Sequence, residues 1–180
     1  MFYLFLADGF EEIEALTTVD ILRRAGIKIL TVGIGKKNIK GAHGIIVTAD
    51  ITEEETDINF ISGVIRPGGM PGTINLEHSQ TVRRVVNCAV EKGLYIAAIC
   101  AAPSVLGKMG VLEGRKAVCY PGFENELKGA IVVDDSVVAD GNIITGKGAG
   151  AALEFALLIV EIVCSKEKAE EVRNSIKWRQ

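Results

Sequence analysis

Cys100 and a cluster of glutamates near the N-terminus are the residues of this 180-residue chain best suited to do chemistry. Cys100 follows the apolar run Leu94-Tyr95-Ile96-Ala97-Ala98-Ile99 and precedes Ala101-Ala102-Pro103, so a strand breaks directly into a helix start. A residue at such a bend projects its side chain beyond the end of the sheet. The first amides of the new helix lack partners and favour negative charge, which promotes the thiolate, the nucleophilic form of cysteine. Pro103 suits an early helical position, where an absent N–H costs little. The alternative is that a cysteine after a buried strand is simply a small core residue.

Glu11, Glu12 and Glu14 open a segment whose apolar residues Ile13, Leu16, Val19, Ile21 and Leu22 recur at helical spacing. Glu11 and Glu12 are accounted for as complements to the positive end of the helix dipole. Glu14 falls among inward-facing positions, where an acid must be neutral or paired. Beside Cys100, desolvation and the charge of a thiolate would both keep it protonated. A neutral acid can then donate a hydrogen bond to sulfur. Gly68, Gly69 and Gly72 read as turn residues after the run Gly63-Val64-Ile65. A functional reading adds that the amides of Gly69 and Ala101 bind an oxyanion or an oxidised sulfur together.

The remaining candidates are weaker. Cys119 ends a strand-like segment and either approaches Cys100 or is a half-buried strand residue; Cys88 and Cys164 sit in helical patterns as packing residues. His43 and His78 are the only histidines and neither adjoins Cys100, so no Cys–His pair is visible. No C-x-x-C spacing occurs, and no metal site is expected. Gly141 to Gly148 resembles a phosphate loop but lacks its final Ser/Thr, and its middle is strand-like. Gly146 to Ala151 matches a degenerate dinucleotide fingerprint with no following strand to carry the ribose-binding acid. No cofactor is expected.

These residues must be positioned by the elements around them. Phe2–Leu6, Lys28–Val32, Gly63–Ile65 and Leu94–Ile99 read as strands, alternating with helices over Glu11–Ala25 and Thr81–Glu91. Asn38 to Asp50 reads as a hairpin-like excursion. Short strands follow at Lys116–Cys119, Ile131–Val133, Val137–Ala139 and Asn142–Thr145, then helices at Ala151–Val163 and Lys166–Lys177. Such alternation predicts an α/β sandwich with a mostly parallel sheet and helices on both faces. Its sites lie beyond the carboxyl ends of the strands. The loop after the first strand, the glycine turn and the Cys100 bend should converge there. A single domain over 1–180 is expected, with a net charge of −3 that gives no sign of a nucleic-acid surface. No apolar run reaches membrane-spanning length and the N-terminus lacks signal-peptide features, so the expected location is the cytoplasm.

Phe10-Glu11-Glu12-Ile13-Glu14, Arg23-Arg24-Ala25-Gly26, Pro67-Gly68-Gly69, Ala97 to Pro103 and Glu154-Phe155-Ala156-Leu157 together resemble the ThiJ/PfpI superfamily, most closely its parkinsonism-associated group. The resemblance runs over nearly the whole chain. It implies a flavodoxin-like sandwich with a nucleophile elbow, usually in a homodimer. It places the family's reactive cysteine on Cys100, its protonated glutamate on Glu14 and its sulfur-cradling amides on Gly69 and Ala101. Family members are described as oxidative-stress sensors whose cysteine becomes a sulfinate, as cofactor-free glyoxalases or deglycases acting on methylglyoxal and its adducts, and as chaperones. The implied partners are therefore a small dicarbonyl or glycated substrate and a second copy of the chain.

Two positions depart from the family pattern. Ala101 stands where the peptidase branch has histidine, which argues against proteolysis. Tyr120, in Cys119-Tyr120-Pro121, stands where the group often has a histidine, and a phenol is a poor base at neutral pH. His43 aligns with a basic position that approaches the partner's site in family dimers.

Overall fold

Strands that are apolar on both faces require helices on both faces, and that requirement organises this chain. The computed structural model describes residues 1–178. The strands are β1 Phe2–Leu6, β2 Ile29–Gly33, β3 Asn38–Lys40, β4 Ile46–Thr48, β5 Ile51–Thr52, β6 Gly63–Arg66, β7 Tyr95–Ile99, β8 Lys116–Ala117, β9 Ile131–Val132, β10 Val137–Asp140 and β11 Ile143–Gly146. The helices are α1 Glu12–Arg24, α2 Gly72–His78, α3 Gln80–Glu91, α4 Pro103–Lys108, α5 Ala152–Val163 and α6 Lys166–Ser175.

The main sheet runs β10-β11-β7-β6-β1-β2-β5, and all its pairings are parallel except β10 with β11. This is the mostly parallel α/β sandwich that the strand–helix alternation predicts, in the flavodoxin-like form that the family resemblance implies. Alternation along β1 sorts the two cores. Phe2, Leu4 and Leu6 face α1, α5 and α6, packing with Ala15, Leu22, Phe155, Ile159 and Val172. Tyr3 and Phe5 face α2, α3 and α4, with Leu76, Val85, Val86 and Leu106. β1 lies between β2 and β6, so successive connections leave it in opposite directions. Such a switch point opens a crevice at the carboxyl ends of the strands.

The sequence reading places most element boundaries within a residue or two. It misses α2, whose seven residues begin right after Pro71 and are too few to show a helical period. It also misses β5, a two-residue strand on the sheet edge. The last helix ends at Ser175 rather than Lys177, which has φ of 58° and so cannot continue it. The excursion after β2 is a β3–β4 antiparallel hairpin, as its glycines suggest. Among the described residues no helix is long and apolar enough to cross a membrane.

Gly107 in α4 gives a direct test of this packing. In an ordinary helix, alanine in place of glycine gains up to about 1 kcal/mol. Here a Cβ would stand 2.7 Å from Leu127 Cα and 2.8 Å from the Lys128 amide nitrogen, and would run into the Glu126 carbonyl. Backbone atoms cannot rotate away, and overpacking costs about 1–3 kcal/mol. Gly107→Ala should therefore lower the urea midpoint at unchanged m, as equilibrium denaturation will show.

Candidate active site

Three loops meet at the crevice, and the backbone ties them together before any functional side chain is considered. The Glu11 amide, at the start of α1, donates to the Gly68 carbonyl at 3.0 Å. The Gly72 amide donates to Gly9 O at 3.1 Å. The Cys100 amide donates to Gly146 O at 2.9 Å, continuing the β7–β11 ladder past the bend. Cys100 itself has φ of 64°, a left-handed conformation that costs a non-glycine side chain of order 1–3 kcal/mol. The strained strand-to-helix turn has the geometry of the nucleophile elbow that the family resemblance implies at Cys100.

Gly69 also has positive φ, 88°, and is hemmed in: a Cβ there would lie 2.6 Å from Gly9 O and would strike the Glu11 amide. Only glycine fits, and its own amide is left facing the Cys100 sulfur together with that of Ala101. Gly68 is equally constrained. A Cβ on it would come within 2.6 Å of Cys100 Cβ and 2.9 Å of Glu14 Oε2. The bare Gly68 amide instead donates to Glu14 Oε2 at 2.7 Å. The sequence marks Gly68 only as a turn residue; this hydrogen bond is its chemical contribution.

Glu14 is buried, and its carboxyl interacts with the Cys100 side chain. Burial pushes the carboxyl up to about 7, the Gly68 hydrogen bond and the neighbouring Cys100 thiol pull it down, and the Glu11 charge adds to the rise; Oε1 has no hydrogen-bond partner among the described residues. The thiol is pushed up to about 12, first by burial and then by the Glu14 charge, while the Gly69 and Ala101 amides pull it down. The helix-start argument alone predicts a depressed thiol. Burial and the neighbouring acid reverse that direction. Cys100 and Glu14 are best described as one pair that keeps its last proton well above neutral pH. When that proton sits on Glu14, the charge that opposes thiolate formation is gone. The two amides then favour the anion on sulfur.

The other candidates fall around this pair. The Tyr120 amide donates to Cys100 O at 2.8 Å, but its half-exposed ring lies over Gly148, in a groove shared with Lys147 and Glu154. Cys119 is buried in the core under α2, α3 and α4, whereas Cys100 packs against the opposite one. The Cys119 thiol is pushed up to about 11 by burial and the Glu124 charge, and the Phe123 amide opposes the rise. His43 is exposed, and its Nδ1 lies 3.0 Å from Glu12 Oε2 and 3.7 Å from Glu11 Oε1. Within one chain its contacts run to these acids rather than to Cys100.

Glu12 is the residue that dipole reasoning undervalues. It is buried and accepts from the His43 amide at 2.9 Å and the Ile45 amide at 3.4 Å, fixing the β3–β4 hairpin against α1. Burial alone would raise its carboxyl, but the hydrogen bonds from His43 and Ile45 outweigh that and hold it below its ordinary value. The nearest sequence signal is Gly41, where a Cβ would collide with the Glu12 carboxylate.

Comparison with known proteins places the chain in a family. The model of the DJ-1/PfpI family matches residues 2–162. Protein dj-1beta of Drosophila melanogaster is 38% identical over 174 residues, covering 95% of this chain and 93% of that one. The glutathione-independent glyoxalase DJR-1.2 of Caenorhabditis elegans is 34% identical, covering 90% and 87%. The crystal structure of Drosophila DJ-1beta superposes with a TM-score of 0.93 at 37% identity, covering 98% and 96%. Oxidized Toxoplasma gondii DJ-1 does so with a TM-score of 0.92 at 31% identity, covering 99% and 98%. With its elbow, its sheet order and a match over most of its length, the chain belongs to the DJ-1/PfpI family.

Proposed function

We propose that the protein is a cofactor-independent glyoxalase or deglycase acting on methylglyoxal-like dicarbonyls or their adducts. The observation that carries this reading is the strained Cys100 turn facing the buried Glu14 carboxyl across Gly68, whose amide donates to Glu14 Oε2. The relative named a glutathione-independent glyoxalase supports it. All four cysteines are free, which suits a reducing cytoplasm.

The chemistry follows from the pair. As Cys100 Sγ attacks the aldehyde carbon, Glu14 takes the thiol proton and returns it to the new alkoxide, giving a hemithioacetal. The Gly69 and Ala101 amides stabilise the oxyanion while it lasts. Ionised Glu14 then removes the proton from that carbon, the hydroxyl proton passes to the neighbouring ketone oxygen through an enediol, and Glu14 returns the carbon's proton to the former ketone carbon. The result is an S-lactoyl thioester. Water hydrolyses it, releasing lactate and the thiol. Overall one dicarbonyl and one water become one hydroxy acid, with no external oxidant or reductant. Burial of Glu14 tunes its acidity toward neutrality, where an acid that also serves as a base is most effective.

A second reading is favoured by Tyr120, whose ring over Gly148 supplies no base at the sulfur. Here Cys100 is a redox sensor: peroxide oxidises it to a sulfinate, which accepts hydrogen bonds from Gly69, Ala101 and protonated Glu14. Oxidized Toxoplasma gondii DJ-1 shares the fold.

The proposal includes a second copy of the chain. Ile13 and Leu16 on α1 and Ile45 and Ile46 on the hairpin are exposed, and Glu12 ties the two elements together. Exposed large apolar side chains on two elements held together suit an interface between copies.

Three outcomes test these statements. Wild-type protein in thiol-free buffer should convert methylglyoxal to lactate, and Cys100→Ser and Glu14→Gln should each lose at least about 100-fold in kcat/KM. No lactate above blank from wild type moves the assignment to the redox sensor. Glu14 also makes a signed prediction for stability. Its carboxyl binds a proton more tightly folded (about 7) than unfolded, so its contribution is present at low pH and lost as pH rises through 7. Between pH 5 and 8 the wild type should lose up to about 3 kcal/mol relative to Glu14→Gln, measured by urea denaturation at both values. Finally, light scattering should report a dimer for wild type and a monomer for the double variant Ile13→Lys, Ile46→Lys.

A further inference from the structure

Arg66 is the last residue of β6, one position before the Pro67-Gly68-Gly69 turn, and it is fully buried. Alternation along β6 puts Ile65 in the core under α1 and α5, and Val64 in the core under α2, α3 and α4. The Arg66 side chain shares the Val64 side. None of its guanidinium nitrogens, Nε, Nη1 or Nη2, has a hydrogen-bond partner among the described residues. Burial lowers it only to about 10, so it remains a cation at neutral pH. A buried, unpaired guanidinium is among the costliest groups a fold can hold, because nothing replaces the water it gave up.

The buried group lies at the wall of an open space, and a ligand oxygen would reach its nitrogens once the side chains over it shift. It lines a cavity of about 230 Å³ between α2, α3 and α4, and the Cys100 site lies elsewhere. Leu76, Val82 and Val105 form the buried part of the lining with Arg66; Arg83, Asn87 and Lys108 are exposed at its rim. Glu77 is the one acid on the lining, and it already accepts from Lys108 Nζ at 3.1 and 3.2 Å. Lys108 and Glu77 thus offset one another, and Arg66, which also feels the Glu77 charge, and Arg83 leave the lining net positive. Its volume is below that of a drug-sized pocket. A forked guanidinium with free donors, beside Arg83 and the Lys108–Glu77 pair, matches an anion with several oxygens.

We propose that this cavity binds a phosphate group, either inorganic phosphate or a small phosphomonoester, with the Arg66 guanidinium as its buried anchor and Arg83 and Lys108 at its rim. The site is separate from the reaction centre and does not depend on which chemistry Cys100 performs.

Thermal unfolding tests it at constant ionic strength and pH, with inorganic phosphate or glycerol 3-phosphate replacing chloride. Phosphate in tenfold excess over its Kd should raise the wild-type Tm by about 3–6 °C. Arg66→Met fills the same space without charge and should abolish the shift. Arg83→Gln sits at the exposed rim, should leave the Tm in chloride unchanged and should at least halve the shift. An equal rise with both ligands identifies the phosphoryl group as the determinant, and a larger rise with the ester identifies an organic phosphate; both support the site. No rise over chloride in wild type overturns the proposal, as does an equal rise in Arg66→Met. If Arg66→Met does not fold, an undiminished rise in Arg83→Gln overturns it alone.

Discussion

The close approach of the buried Glu14 carboxyl to Cys100 is the constraint around which the crevice is built. Glu14 is delivered by α1 and Cys100 by the β7 elbow, with Gly68 between them donating its amide to the acid. No side chain fits at position 68 without striking both partners. The glycine turn thus serves as the spacer that lets a carboxyl and a thiol approach inside the protein. The cost appears as the φ of 64° at Cys100 and the burial of an ionisable group, and each is tolerable only because the surrounding sheet is rigid. β6 and β7 are paired along their length, with β1 and β11 on their outer sides, so the three loops leave from fixed points.

That rigidity explains why so much was legible from residue types. The parallel strands are buried on both faces and announce themselves as short apolar runs. Topology then forces the loops after β1, β6 and β7 to one edge, which nominates Glu14, the glycine turn and Cys100 before any coordinate is known. What stays hidden is decided by neighbours distant in sequence. Glu12 looks like a helix-start acid until the hairpin folds onto it. The direction of the Cys100 shift is equally opaque, because the bend and the burial pull oppositely and only the packed site sets their balance. Arg66 did leave a trace: a charge following Gly63-Val64-Ile65 breaks an apolar strand where the pleat faces inward.

The two faces of the sheet divide the labour. The core under α1, α5 and α6 supports Cys100 from below, and the carboxyl that partners it comes from the same layer. The opposite layer holds Cys119 and Arg66, both adjacent in chain to site residues and both turned away from them. Sequence proximity to a catalytic turn is therefore a poor guide to function in a sandwich, since consecutive strand residues are separated by the thickness of the sheet.

The location of the proton held by the Cys100–Glu14 pair also decides between the two chemistries proposed for the site. Proton abstraction from carbon needs Glu14 ionised while its neighbour is covalently occupied. In the hemithioacetal the sulfur carries no proton and no charge, so the electrostatic cost of ionising Glu14 beside it falls. Peroxide oxidation needs the reverse: a thiolate first, which this pair reaches by holding the proton on Glu14. A sulfinate then keeps its charge on oxygens facing Gly69 and Ala101, and Glu14 remains the donor. The same buried carboxyl is a base when carbon occupies the sulfur and an acid when oxygen does. On the proposed reading, one carboxyl beside one thiol serves turnover and sensing alike without any residue moving.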